Sequence, residues 1–132
     1  MAKSIAKDKS YQFALEIVKF CSHLRNDKHF EIAHQLLRAG TSIGANVEEA
    51  LAGQSKKDFY AKMCIASKEA REANYWLRLI RDAELFDSKI VGSFLINSEE
   101  LVKILTSIVK TGYSNNTVDA NLKNNSKLKT QN

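Results

Sequence analysis

The chain of 132 residues is 44% hydrophobic and 27% charged, proportions that are typical of a single soluble globular domain. Its lack of proline and its 5 glycines favour long helices and exclude the turn-rich sandwiches and barrels. The formal net charge of +5 permits binding to nucleic acid, although solubility alone explains so mild an excess equally well.

The first helix is predicted from about Lys3 or Ser10 to Leu24. One apolar stripe at helical spacing consists of Phe13, Ile17, Phe20, Cys21 and Leu24. A second stripe beside the first consists of Tyr11, Leu15 and Val18. Because the two stripes together exceed the arc of about 100° that one core contact uses, part of this surface is expected to face another subunit. The polar residues 25–28 form the first turn.

The second helix is predicted from about His29 to Gly53 and carries two glycines one turn apart, Gly40 and Gly44. A glycine inside a helix costs about 1 kcal/mol relative to alanine, so another helix is expected to approach closely at these positions. Gly53 suits the left-handed conformation that often follows a helix end. Ser55 is the predicted N-cap of the next helix.

The third helix is predicted from about Lys56 to Ala83. Its apolar residues alternate by four and three, as in a heptad seam, and they are Phe59, Met63, Ala66, Ala70, Ala73, Leu77 and Ile80. The small residues of the seam match those of the second helix, so the two helices are predicted to form a closely packed antiparallel hairpin. The residues assigned to this close packing are Gly40, Gly44, Ala66 and Ala70. Tyr75, Trp76 and Leu79 add apolar surface beyond the seam.

The fourth helix is predicted from about Lys89 to Lys110, with Asp87 or Ser88 as its N-cap and Gly112 as its end. Its broad apolar face consists of Ile90, Val91, Phe94, Leu95, Leu101, Val102, Leu105, Ile108 and Val109. This helix again presents more apolar surface than one bundle core requires, which adds to the expectation of a homo-oligomer.

Residues 113–132 are polar and low in complexity, so they are predicted to be a disordered tail. Residues 1–112 hold four predicted helices of roughly 20 to 28 residues joined by short turns. The sequence therefore predicts an all-α protein, an antiparallel up-down-up-down four-helix bundle with a disordered C-terminal tail.

The two cysteines indicate the cellular compartment. Cys21 and Cys64 are isolated and lie among apolar residues, a pattern typical of buried thiols in a reducing compartment. Residues 1–9 carry charges where a signal peptide needs an apolar run. No stretch approaches the ~18 apolar residues of a membrane span. We therefore expect a cytoplasmic protein with no membrane partner.

No catalytic motif is found in the sequence. His29 and His34 are five residues apart, which does not place them on one helical face, and no Glu-x-x-His motif supplies a di-metal site. A P-loop, a nucleophile elbow and a dinucleotide fingerprint are all missing. We therefore predict a protein that is not an enzyme and that has no catalytic residues, no metal and no cofactor.

Several polar residues could form contacts beside the close packing of the second and third helices. Arg38, Glu49 and Glu72 are predicted to form a polar network there, with a role in helix register or partner choice. Ion pairing is favoured over a catalytic carboxylate pair, because basic residues are interspersed with the acids. The predicted structural polar contacts are Arg38, Ser42, Asn46, Glu49 and Glu72.

From Lys56 to Arg81 the third helix has seven basic and three acidic residues, a local balance of +4. Basic side chains can contact the phosphates of a nucleic acid, and Tyr60, Tyr75 and Trp76, which lie between the basic residues in the sequence, could stack on unpaired bases. For the aromatics, a place in the core or at a subunit contact is favoured over base stacking. For the basic residues, a solvated helix face and a phosphate-binding surface both stay open. The candidate nucleic-acid-binding residues are Lys56, Lys57, Lys62, Arg71, Arg78 and Arg81.

Two segments, 37–50 and 65–77, resemble a known family. They are similar to four-helix bundle proteins encoded in intervening sequences of bacterial 23S rRNA genes, which are themselves similar to the accessory proteins of diversity-generating retroelements. The signature positions that match are Ser42, Ile43, Asn46, Glu49, Ile65, Ala66, Glu72 and Leu77. The chain departs from the signature at Val47, Ala50, Lys68 and Glu69.

The resemblance covers residues from about 11 to 110 and leaves the tail outside it. It implies a left-handed antiparallel bundle, a ring-like homopentamer, and a non-enzymatic role that involves RNA or DNA. Two further hypotheses stay open, namely an adaptor that binds a protein such as a reverse transcriptase, and an enzyme with a site in the bundle core. The expected partners are therefore other copies of the chain, a nucleic acid, or a protein.

Overall fold

The computed structural model describes residues 2–130 and contains four α-helices. They are α1 (Ala2–Asn26), α2 (Phe30–Ala52), α3 (Lys56–Asp82) and α4 (Ser88–Thr130). Short connections make successive helices antiparallel, and α4 also packs against α1, so each helix contacts two neighbours. The predicted all-α antiparallel four-helix bundle is confirmed. Within the described range no helix is long and apolar enough to cross a membrane.

The core is built from the predicted heptad positions. All seven residues of the α3 seam are buried, and they belong to the same core cluster as the buried α1 residues Phe13 and Ile17. Edge-to-face packing of Phe20 on Phe86, with ring centroids 5.0 Å apart, closes one end of the core. Buried aromatic and aliphatic side chains from all four helices form one continuous cluster.

Local capping fixes where two of the helices begin. The Ser55 hydroxyl accepts a hydrogen bond of 3.1 Å from the backbone N–H of Asp58 at the start of α3. At the start of α4, one carboxylate oxygen of Asp87 accepts from the N–H groups of Lys89 and Ile90, at 2.9 and 3.2 Å. Both predicted caps are confirmed, with Asp87 as the cap of α4.

The prediction of a left-handed Gly53 is wrong. Gly53 has φ −67° and ψ 151°, an extended conformation that leads directly into the extended Ser55 cap. The left-handed residues are Lys28, with φ 69°, and Glu84, with φ 56°. These two residues reverse the chain after α1 and α3, whereas the turn after α2 needs no positive φ.

The glycines of α2 face α1, not the alanine seam of α3, so the predicted partner of this close packing is wrong. A Cβ on Gly40 would lie 2.8 Å from Cγ2 of Ile17, and a Cβ on Gly44 would lie 3.3 Å from the carbonyl oxygen of Ser10. Ala66, like Ala70, is fully buried in the core. The apolar face of α2 spans both neighbours, and its glycines lie on the side toward α1.

The predicted end of α4 at Gly112 is also wrong, because the helix continues to Thr130. Gly112 is buried against the ring of Tyr60, which occupies the space that a side chain at this position would need. This glycine therefore admits an aromatic ring and does not terminate the helix. The division into a bundle over 1–112 and a disordered tail over 113–132 stays a prediction, and residues 131 and 132 lie outside the described residues.

Candidate nucleic-acid interface

The six candidate basic residues of α3 do not form a single patch. Lys62 faces α2, where its Nζ lies 2.9 Å from Oε2 of Glu49. Arg81 pairs with its neighbour Asp82, whose carboxylate lies 2.8 Å from Nε. Lys56 and Lys57 are exposed at the start of α3. The candidates are thus divided between two sides and one end of the helix.

Arg71 and Arg78 lie on the side of α3 that faces α4. Nη2 of Arg71 donates a hydrogen bond of 3.0 Å to the hydroxyl of Thr106 on α4. Arg78 donates through Nε to the side-chain oxygen of Asn74, also at 3.0 Å, and its guanidinium lies 5.7 Å from the ring centre of Tyr75. Both guanidiniums keep N–H groups beyond these bonds, since each has five donors.

A buried polar contact holds Arg78 in place. Ser98 on α4 is 0% exposed, and its hydroxyl accepts a hydrogen bond of 2.9 Å from Nδ2 of Asn74 while donating to the carbonyl of Leu95. The amide of Asn74 is therefore oriented with its oxygen toward Arg78. The hydrogen bond between Asn74 and Ser98 thus crosses the α3–α4 interface and, through the side chain of Asn74, positions the guanidinium of Arg78 at the surface.

Cations from α3 and α4 meet along one groove. A depression of about 700 Å³ is lined by Arg71, Val102, Lys103, Thr106, Ser107, Lys110, Thr111 and Ser114. An adjoining depression of about 360 Å³ is lined by Arg71, Asn74, Arg78, Glu99, Val102 and Lys103. Because the two share three lining residues, we treat them as one continuous surface and call it the α3–α4 groove.

The α3–α4 groove is electropositive. Its lining includes four cationic side chains and one carboxylate, Glu99, at the Arg78 end. The salt bridges between described side chains include none of the four cations, which are Arg71, Arg78, Lys103 and Lys110. Four hydroxyl side chains lie among these charges. Such a mixture of cations and hydroxyls is the usual donor set for phosphate oxygens.

Lys103 and Lys110 were missed by the reasoning from sequence. A signal for them exists, because they are seven residues apart on α4 just as Arg71 and Arg78 are on α3. Side chains at seven-residue spacing share one side of a helix in a bundle. Which helix sides face each other, however, is decided by the packing of α3 on α4.

The three aromatics of α3 that could stack on bases do not line the groove, although the ring centre of Tyr75 lies 5.7 Å from the guanidinium of the groove residue Arg78. Tyr60 packs edge to face on Phe59, with centroids 5.0 Å apart, and covers Gly112. The indole N–H of Trp76 donates to Glu72 at 3.2 Å, on the α2 side. Tyr75 is exposed on the outer side of α3. None of the three is among the described residues that line the α3–α4 groove.

A polar network joins α2 to α3 on the opposite side. Arg38 donates to both Glu69, at 3.3 Å, and Glu72. The hydrogen bond from Arg38 lowers the pKa of Glu72, whereas partial burial raises the pKa of Glu69 despite the positive charge of Arg38. The predicted network is therefore present with Arg38 and Glu72, while Glu49 is absent from it because Glu49 pairs with Lys62.

The remaining predicted polar contact is local to α2. Asn46 donates through Nδ2 to the carbonyl of Ser42 at 2.8 Å and to the Ser42 hydroxyl at 3.1 Å. Both side chains are half-buried and bond within their own helix. This pair neither joins the Arg38 network nor lies in the α3–α4 groove.

Two apolar outer faces lie on opposite corners of the bundle. On α1, Tyr11 is 61% exposed and lies beside the exposed Leu15 and Val18. On α3, Tyr75 is 47% exposed and is followed one turn later by the exposed Leu79, and Ile65 is exposed ten residues earlier on the same helix. Apart from the half-buried Trp76, the residues that the sequence places beyond the core on α1 and α3 are exposed, and Ile65 is an addition that the structure makes.

A further groove of about 620 Å³ lies between α2 and α3 and is lined by Phe30, Glu31, Ile32, His34, Gln35 and Trp76. Phe30 at its rim is 59% exposed. The exposed lining of this groove is mainly apolar, and the described lining residues include no lysine or arginine, in contrast to those of the α3–α4 groove.

Reactive or metal-binding groups do not cluster at either groove. Burial raises the pKa of the Cys21 thiol to about 11, which leaves it protonated and unreactive at neutral pH. Cys64 is half-buried. The described part of the chain holds no group of three or more histidine, cysteine or acidic residues that could hold a metal ion.

Comparison with known proteins agrees with this architecture. The family model for the 23S rRNA-intervening sequence protein matches residues 2–107. A crystal structure of a protein with unknown function, from the S23 ribosomal protein family of Bacteroides thetaiotaomicron, is similar with a TM-score of 0.79 and 43% identity. The similarity covers 83% of this chain and 99% of that chain. No curated protein matches the sequence. The match over most of the bundle places the chain in the 23S rRNA-intervening sequence protein family.

Proposed function

We propose that this protein is a non-enzymatic homo-oligomer that binds nucleic acid, and structured RNA in particular, through basic side chains on the outside of the bundle. The observation that supports this most strongly is the convergence of four cations from α3 and α4 on one groove. Binding is mainly electrostatic, because cations that contact phosphates release the counterions condensed on the nucleic acid.

The first test is whether the purified protein carries RNA, read by the ratio of absorbance at 260 and 280 nm and then by sequencing. Binding of that RNA should weaken steeply as salt rises from about 50 to 200 mM. Charge reversal of Arg71 and Arg78 should remove most of the affinity. Reversal of Lys62 should matter less, because Lys62 is already paired with Glu49. Affinity that is flat with salt, or unchanged by reversal of the two arginines, would contradict the proposal.

The apolar outer faces support homo-oligomerisation. Because α1 and α3 lie on opposite corners, the face of one protomer can pack on the other face of the next. Such a head-to-tail contact forms a ring when the rotation between protomers closes. The pentamer is the ring size that the resemblance implies. Val18→Glu places a charge in the α1 face without entering the core, so it should lower the mass measured by light scattering and leave helix content unchanged. A monomeric wild-type mass would refute this part of the proposal.

The apolar α2–α3 groove favours one alternative, a protein-interaction adaptor without a direct nucleic-acid role. The exposed Phe30 beside Trp76 offers a surface for a partner protein, and the resemblance to retroelement accessory proteins makes a reverse transcriptase an example. A pull-down after nuclease treatment distinguishes the two. A protein partner that is retained, and that is lost with Phe30→Glu, would favour the adaptor.

A further inference from the structure

We propose that the α3–α4 groove, including Lys103 and Lys110 of α4, binds the sugar–phosphate backbone of a paired RNA helix and does not read its bases. This inference rests on the proposed nucleic-acid function and assigns it a site and a class of ligand.

The dimensions of the groove favour a polymer over a small anion. Along α4 the lining runs from Glu99 to Ser114, a length of about 22 Å at the helical rise per residue. This length corresponds to about six nucleotide steps at the 3.4 Å per step of B-form DNA, and to more than that along the more compressed A-form RNA helix. Lys103 and Lys110, like Arg71 and Arg78, are two turns apart, about 10 Å along each helix. Cations spread along the groove in this way can contact several phosphates of one backbone.

The lining recognises a backbone and not unpaired bases. Arginine and lysine, together with the hydroxyls of Thr106, Ser107 and Thr111, are donors for phosphate and sugar oxygens. Proteins that bind single strands add aromatic side chains on which bases stack, and no aromatic is among the described lining residues. A paired helix presents its phosphates outward and keeps its bases stacked inside, so it is the ligand that matches this surface.

Glu99 marks one end of the phosphate track. It lines the groove beside Arg78 and Lys103, where its carboxylate repels a phosphate and weakens the local positive field. The opposite end, near Lys110 and Ser114, has no carboxylate among the described lining residues. The bound backbone is therefore centred on the Arg71–Lys110 part of the groove.

The test measures fluorescence anisotropy with a blunt RNA duplex of about 16 base pairs and with one of its strands alone, at several salt concentrations. The groove variant is Lys103→Gln/Lys110→Gln. The matched control, Lys19→Gln/Lys89→Gln, removes the same charge from exposed sites outside the groove. Circular dichroism and light scattering confirm that both variants keep the helix content and mass of the wild type. Glu99→Gln is the converse variant.

For the duplex, each lost phosphate contact reduces the slope of log affinity against log salt by about 0.9. The groove variant should therefore lose about 1.8 from this slope, and its affinity deficit should shrink about 12-fold between 50 and 200 mM salt. Glu99→Gln should bind the duplex more tightly than the wild type, and the control should retain most of the wild-type slope.

Three outcomes with RNA would overturn the inference while leaving the proposed function intact. They are an equal loss in the groove and control variants, tighter binding of the single strand than of the duplex, and a wild-type slope retained by the groove variant. If the wild type binds neither RNA, the proposed function itself fails. Binding of poly-glutamate as tight as that of the duplex would also overturn the inference, because the groove would then be a general site for acidic polymers.

Discussion

Replacing Gly40 with alanine adds one methyl group where α2 passes closest to α1. The new Cβ would lie 2.8 Å from Cγ2 of Ile17, and Cγ1 and Cβ of the same residue lie 3.1 and 3.3 Å away. Ile17 is fully buried, and its β-branched side chain has few alternative rotamers. The methyl group can therefore be accommodated only if α1 and α2 move apart.

The magnitude follows from two opposing effects. Alanine is favoured over glycine inside a helix by about 1 kcal/mol. Overpacking in a well-packed core costs about 1–3 kcal/mol, and a contact this short with a rigid neighbour belongs in the upper half of that range. We expect Gly40→Ala to lower the free energy of unfolding by about 1–2 kcal/mol. Gly92→Ala on α4 should raise it by about 1 kcal/mol, because nothing lies within 4 Å of the added Cβ.

Urea unfolding followed by circular dichroism checks this pair of variants. Both must be measured at one protein concentration, because association of subunits shifts apparent stability. In the background of Ile17→Leu, which removes the Cγ2 branch, Gly40→Ala should cost less than in the wild type. If Gly40→Ala were as stabilising as Gly92→Ala, the glycine would not be needed for the contact with α1, and the reasoning would be refuted.

Three further predictions concern the α2–α3 side and the end of the bundle. Arg38→Met should lower the free energy of unfolding by no more than about 1 kcal/mol, and by less in high salt, because Arg38 is exposed; a larger loss in urea titrations would contradict this. The lowered pKa of Glu72 means that its contribution to stability is present above the ordinary carboxyl pKa and is lost as pH falls through the lowered value. The raised pKa of Glu69 acts in the opposite sense and favours the fold at lower pH. Trp76, the single tryptophan, donates to Glu72, so its emission should change over the acid titration of Glu72 and should not do so in Glu72→Gln. Gly112→Ala should be destabilising, because its methyl group would displace the ring of Tyr60. Thermal unfolding followed by circular dichroism at 222 nm should show a lower midpoint, and an unchanged midpoint would contradict the prediction.

Features that depend on neighbours in the chain could be predicted closely. The α3 seam, from Phe59 to Ile80, is buried as its heptad spacing indicates. The caps Ser55 and Asp87 bond to N–H groups two or three residues away. Such features need only the periodicity of a helix and the short reach of a side chain.

Features that depend on which helix lies beside which could not be predicted in the same way. The spacing of Gly40 and Gly44 indicates a close contact but does not say whether α1 or α3 makes it. The acidic partner of Arg38 besides Glu72 is Glu69, and the prediction placed Glu49 there instead. Similarly, a glycine at position 112 is typical of a helix end, but in the structure Gly112 lies within α4, where the ring of Tyr60 leaves no room for a side chain.

The sequence by itself determined that this chain forms four helices, which side of each is buried, and that one helix carries an excess of basic residues. Only the tertiary structure decided that Arg71 and Arg78 meet Lys103 and Lys110 across a groove while Lys62 and Arg81 are paired with acids. The physical reason is that periodicity orients a side chain toward or away from the core. The rotation and register of packed helices then set which charges become neighbours.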